Sequence, residues 1–283
     1  MSIISPMALQ QAYLEACEAE LQAFKPGNVS IHSEGHGMTV EDFRLSAKAS
    51  APPLCDPKLP LGEKIFQAVK ATREVAGCNT NLGIVLLAAP LLQACLVGET
   101  GKSLRENVQA VLNNTTREDA VWVYRAIRLA APGGLGESAE QDVHSDPEAT
   151  LLEAMRIAEK RDHIAWQFTN SFATVFDLAV PRYHSGLLLW RDEALATAGV
   201  FAGLLKAVPD SHIERKFGTR FNRFVADKTT RIDQALSIPG RPEQILELLR
   251  EADAEFKSAG INPGTTADLT VACLLAVRLE KLS

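Results

Sequence analysis

The sequence predicts an all-α fold, and three features carry that prediction. No stretch of strand length alternates apolar with polar residues, so nothing calls for a half-buried sheet. Helix-start signals, a Ser, Thr, Asp or Pro just ahead of residues apolar at helical spacing, recur along the chain. Leu82 to Val97 is apolar or small on every side except at Gln93, and a helix without a polar face must lie inside a core. Interrupted by Pro90 and Gln93, that run falls short of the about 20 apolar residues a membrane span needs. The expectation is a single large multi-helix domain, residues 1–283, around a buried central helix.

The elements follow in order. Apolar residues at Leu9, Ala12, Tyr13, Ala16, Cys17 and Leu21 predict a helix over Ala8 to Phe24, stopped by Lys25-Pro26-Gly27-Asn28. A Gly-rich loop, Ser30 to Met38, carries His32 and His36. Thr39 with Asp42 starts a helix to Ser50, and Pro52, Pro53, Pro57 and Pro60 predict an irregular crossing. Leu61 to Val75 returns to helical spacing ahead of the central run. Ser103 with Glu106, and Thr115 with Glu118, read as capping boxes. Ala131 to Asp146 is the longest stretch without periodicity, and its Gly133-Gly134-x-Gly136 lacks the strand and the Gly-Lys-Ser/Thr of a phosphate loop. Pro147 is expected to open the next helix, followed by helices over Ala165 to Val180, Ser185 to Val208, Thr219 to Leu236, Pro242 to Ser258 and Leu269 to Leu279.

Composition excludes some functions. A net charge of −6 with no basic tract argues against a nucleic-acid backbone as partner, though a local cationic pocket for a small polyanion remains compatible with it. Cys17, Cys55, Cys78, Cys95 and Cys273 form no Cys-x-x-Cys pair, and the start of the chain has no basic segment leading into an apolar run. The expectation is a cytoplasmic protein with reduced thiols that uses no membrane. The histidines lack the spacing of a zinc motif, and no nucleophile elbow is present.

Four polar segments stand at helix boundaries: Lys25 to Asn28, Asn79-Thr80-Asn81-x-Gly83, Asp210 to Gly218, and Asn262-Pro263-Gly264-x-x-Ala267-Asp268. Each has an ordinary reading. Lys25 is a solvated cation, Asn79 or Thr80 caps the central helix, Thr265 and Asp268 cap the last one, and Asp210 to Gly218 is a solvated turn. The alternative for the start of the central helix is an anion site, since backbone N–H groups and the positive end of the helix dipole gather there.

In order and wording these segments resemble the triphosphoribosyl-dephospho-CoA synthase family, over about residues 12 to 280. The resemblance implies a helical enzyme that moves the triphosphoribosyl group of ATP onto a ribose hydroxyl of dephospho-CoA and releases adenine, with Mg2+ on the triphosphate. Breaking a ribose C–N bond builds positive charge on the sugar, which carboxylates stabilise, and the phosphates need cationic or backbone donors. On that footing Asp210 and Asp268 are the candidates for metal binding or sugar-cation stabilisation, with Glu20 as a third carboxylate and His212 as proton shuttle. Lys25, Asn28, Asn79, Thr80, Asn81, Lys216, Asn262 and Gly264 are the candidate substrate and phosphate ligands.

Two departures stand out. The family's Asn-Thr segment continues into His-Lys-Gly, whereas this chain has Asn81-Leu82-Gly83, and Gly35 and Gly37 stand where the family offers a His and an Asp. Replacing a lysine by Leu82 removes a point charge from a triphosphate site. A divergent ribosyl or phosphate transferase of another cofactor pathway, a nucleotide hydrolase, and a helical nucleotide-binding module without catalysis are the rival readings. Homo-oligomerisation is left open.

Overall fold

The structure is a computed structural model that describes residues 4–131 and 145–282. The all-α expectation holds: the described residues contain helices and no sheet, and only two isolated bridges occur, Ser30 with Ser33 and Gly35 with Met38. Contacts divide the chain into two compact units built from discontinuous stretches, and the chain passes between them inside the first and last helices, at the start of the second helix and before Thr174.

The first unit takes the chain through Ala16, then Glu41–Ala173, then Leu275 onward. It holds the start of α1 (Pro6–Gln22), then α2 (Val40–Leu54), α3 (Leu61–Ala76), α4 (Leu82–Val97), α5 (Leu104–Asn113), α6 (Arg117–Ala130), α7 (Leu151–Ala158) and α8 (His163–Thr169). The predicted central helix is α4, with Val85, Leu87, Ala89, Leu91 and Leu92 fully buried and α3, α5 and α8 packed on it. Such burial is what an all-round apolar helix requires.

The second unit takes Cys17–Val40 and Thr174–Leu274. After a π-helical turn at Thr174–Ala179 come α9 (Val180–Trp190), α10 (Glu193–Ala207), α11 (Ser211–Phe217), a 3-10 turn at Gly218–Phe221, α12 (Asn222–Leu236), α13 (Pro242–Ser258) and most of α14 (Gly264–Glu280). One cluster joins Phe24, Ala198, Ile232, Leu236, Ile245 and Leu249, and another joins Phe201, Leu205, Ile213, Val225, Phe256 and Ile261. The first holds the end of α1 through Phe24, and the second holds the turn before α14 through Ile261, against the helices of this unit.

Several boundaries differ from expectation. Helix α2 runs through Pro52 and Pro53, which lie in its last turn, so each removes one N–H bond to the preceding turn and the helix ends directly after them at Leu54. The box ahead of α6 is Thr116 with Asp119, one residue later than Thr115 with Glu118; the Thr115 hydroxyl instead donates to Leu112 O. Thr150 with Glu153, not Pro147, starts α7. The helix expected over Ala165 to Val180 breaks at Asn170 to Ala173, where Ser171 and Phe172 adopt positive φ. The one expected over Ser185 to Val208 breaks at Arg191, and Asp192 caps α10 through Leu195 N. The last helix begins at Gly264, five residues early. Gly133 to Gly136 and His144 lie outside the described residues. Among the described residues no helix is long and apolar enough to cross a membrane.

Candidate functional site

The second unit brings three of the four polar segments onto one another. Where α1 ends, Glu20 and Lys25 are both buried, with Lys25 Nζ 3.1 Å from Glu20 Oε1. The same ammonium donates to Glu20 O at 2.9 Å and Val29 O at 2.7 Å. Three acceptors match the three donors of a lysine, so Lys25 folds the loop about itself. Burial pushes the Glu20 carboxyl above its ordinary range and the Lys25 amine below, each held back by its partner.

The loop so fixed presses on the turn before α14. Gly27 has φ +80°, and a Cβ there would lie 2.9 Å from Ile261 O and 3.0 Å from Pro263 Cδ, so only glycine fits. Gly27 N donates to Asp253 Oδ1 at 2.8 Å, and Asp253 Oδ2 accepts from Ser33 Oγ at 2.6 Å. Lys257 Nζ lies 3.2 Å from the same oxygen and also donates to Ser33 Oγ. Beside them Asn28 Nδ2 donates to Asn262 Oδ1 at 2.8 Å, joining residues 234 apart in sequence.

Asp210 is the second joint. Its Oδ1 accepts from His212 N at 2.9 Å and Ile213 N at 3.1 Å, capping α11, while Oδ2 accepts from Thr266 N at 2.8 Å and Thr266 Oγ1 at 2.7 Å. Burial pushes its carboxyl up, against four donors that each favour the ionised form. This explains the early start of α14: polar residues that read as a loop are folded into the helix by a carboxylate from another element. Ser211 Oγ and Thr265 Oγ1, 3.0 Å apart, add a second tie, so Thr265 is a helix residue and not its cap.

His212 lies over the same helix end, 2.5 Å from where a Cβ on Gly264 would stand, which makes Gly264 a contact position for the ring. Burial, then Arg215, His36 and Lys216, hold His212 down at about 4. At neutral pH it is a neutral imidazole, able to accept a proton but not to supply one. Lys216 is exposed and donates to Gly260 O at 3.3 Å. Asp268 is half-buried in the second turn of α14, two residues past Thr266.

Asn79, Thr80 and Asn81 belong to the first unit, at the start of α4. Asn79 Oδ1 accepts from Leu82 N at 3.1 Å and so does the capping. Thr80 Oγ1 donates to Ser46 Oγ at 2.6 Å, and Asn81 Nδ2 donates to Ser50 Oγ at 3.3 Å. Tyr13 OH lies 2.9 Å from Ser50 Oγ and completes a buried polar chain on α2. Sequence reasoning missed Ser46 and Ser50; their four-residue spacing among Ala47, Ala51 and Leu54 was the available signal. It also missed Asp253 and Thr266, which no local pattern marks.

The described residues do not form a cage for a resident magnesium ion. Both Asp210 oxygens face protein donors, and among the described residues no group of three His, Cys, Asp or Glu side chains gathers.

The ATP:dephospho-CoA triphosphoribosyl transferase family matches residues 6–283. The chain belongs to that family. It is therefore a transferase of the triphosphoribosyl-dephospho-CoA synthase type, and the resemblance read from its four polar segments holds. A crystal structure of a candidate triphosphoribosyl-dephospho-CoA synthase from Archaeoglobus fulgidus shares the fold, with a TM-score of 0.64, 23% identity, and 82% of this chain and 96% of that one covered. Among curated proteins none matches.

Proposed function

We propose that this chain transfers the triphosphoribosyl group of ATP to a ribose hydroxyl of dephospho-CoA with release of adenine, and that the joint of the second unit is where its residues act. One observation carries the placement: Asn28 meets Asn262 and Asp210 meets Thr266, so that segments far apart in sequence meet at one joint. In this reading Asp210 is a positioning residue. It holds α11 and α14 so that His212 and Asp268 keep their places.

The roles follow from the chemistry of the groups. Asp268, half-buried at this end of α14, is the carboxylate assigned to the sugar as positive charge builds on it. His212, neutral at working pH, takes the proton of the attacking hydroxyl. The Asn28 and Asn262 amides orient the substrates, and the Glu20–Lys25 pair keeps the loop in register. Magnesium enters with the triphosphate as part of the substrate, for which one or two protein ligands suffice.

The test is adenine release followed by chromatography, with ATP and magnesium alone and with dephospho-CoA added. The reading expects adenine only when both substrates are present, and its loss in Asp268→Asn. Release at the same rate without dephospho-CoA would show that water is the acceptor and overturn it.

A further inference from the structure

Three basic side chains that the proposed chemistry leaves unused sit around one turn. His212 and Lys216 are four residues apart on α11 and so share a face, with Arg215 beside them. Both side chains reach the Gly260 to Gly264 turn, Lys216 through Gly260 O and His212 against Gly264. His36 reaches the same place from the Gly-rich loop: its Nε2 lies 2.8 Å from the carbonyl of Gly27, the glycine wedged on Ile261 and Pro263. That backbone carbonyl only accepts, so Nε2 carries the hydrogen and the bond fixes the ring beside the turn. An ammonium has three donors, of which Gly260 O takes one.

We propose that His36, Arg215 and Lys216 form a polyphosphate subsite flanking His212, which holds the phosphate chain of a nucleotide substrate next to the reacting ribose. The proposal rests on the functional reading above for the identity of the nucleotide, and on the geometry alone for its chemistry. The three charged groups acting on His212 are all basic, which is the field a polyanion neutralises. It also accounts for a cationic cluster on a chain of net charge −6, where chance grouping of carboxylates would be the commoner outcome. Both substrates carry such a group, the triphosphate of ATP and the diphosphate of dephospho-CoA.

The experiment uses the full chain and inorganic tripolyphosphate as probe, measured by titration calorimetry, alongside KM for each substrate. The variants are Lys216→Ala and His36→Asn, since asparagine tolerates the φ of 58° at that position. Arg223→Ala is the charge-matched control, being 95% exposed on the same unit. Lys216→Ala and the double variant are expected to weaken tripolyphosphate binding about five- to tenfold or more, with the control within about twofold. A matching rise in KM for ATP assigns the subsite to the triphosphate, and a rise in KM for dephospho-CoA assigns it to the diphosphate. Unchanged binding and unchanged KM in both variants, or an equal loss in the control, overturns the subsite while adenine release leaves the transferase reading standing. Loss of probe binding in an enzyme that releases no adenine sinks that reading and keeps the subsite.

Discussion

Asp210→Asn separates a brace from a catalytic acid. The substitution keeps the shape and removes two acceptor positions. Whichever way the amide is turned, its NH2 faces backbone donors, either Thr266 N or the pair His212 N and Ile213 N. Thr266 is 3% exposed, so its N–H finds no water, and a buried donor left unmet costs about 1–3 kcal/mol. The bonds that survive pass from charged to neutral acceptor, losing about 0.5–1 kcal/mol each. Relief of the buried charge offsets part of this, leaving a net loss of about 2–4 kcal/mol. Urea unfolding at pH 7 measures it, with Asp227→Asn, at an exposed carboxylate, expected within about 0.5 kcal/mol of the parent. Thr266→Val should lose about 1 kcal/mol and couple with Asp210→Asn in a double-mutant cycle. A variant as stable as the parent, uncoupled to Thr266, yet unable to release adenine would refute the brace and make Asp210 a reacting carboxylate.

Further outcomes follow from the same contacts. Lys25→Met should destabilise by about 3–5 kcal/mol by leaving the Glu20 carboxylate buried without its cation, and Glu20→Gln added to it should recover much of the loss in denaturant titrations. Gly62→Ala should lower stability by about 2 kcal/mol or more, because the new Cβ would stand 2.5 Å from both Asp119 Cα and Asp119 O; differential scanning calorimetry reads the drop. His212 titrates at about 4 when folded against an ordinary 6.5, so the unfolded chain binds an extra proton between those values. Its contribution is complete above about pH 6.5 and is lost as pH falls toward 4, amounting to about 2 kcal/mol between pH 7 and 5. Urea midpoints at the two pH values check it, and His212→Gln should flatten that slope. Burial lowers His163 too, in the same direction, so some slope should survive the substitution.

The sequence makes legible whatever is decided locally. Pro242 at the first helical position and Gly260 past the end place α13 to the residue, and the apolar run from Leu82 to Val97 does the same for α4. What it hides is decided by partners far along the chain. Nothing near Gly264 announces that Asp210 will hold Thr266 and draw five more residues into α14. The break at Arg191 escaped because apolar residues continue on both sides, and only Asp192, an ordinary surface aspartate by pattern, marks the new cap. Of the candidate site, the residue types were legible and their roles were not. Lys25 reads as an exposed cation and is buried with every donor engaged; Thr80 and Asn81 read as ligands or caps and bond to serines of α2. A side chain's partners, and hence whether its charge or amide faces a substrate, exist only after the chain has folded.

The most direct test of the transferase assignment is the mass of the nucleotide product. Incubated with ATP, magnesium and dephospho-CoA, the enzyme should convert dephospho-CoA to a species heavier by one triphosphoribosyl group, in equal amount to the adenine released. Free ribose triphosphate appearing beside unaltered dephospho-CoA would contradict that assignment and describe a hydrolase.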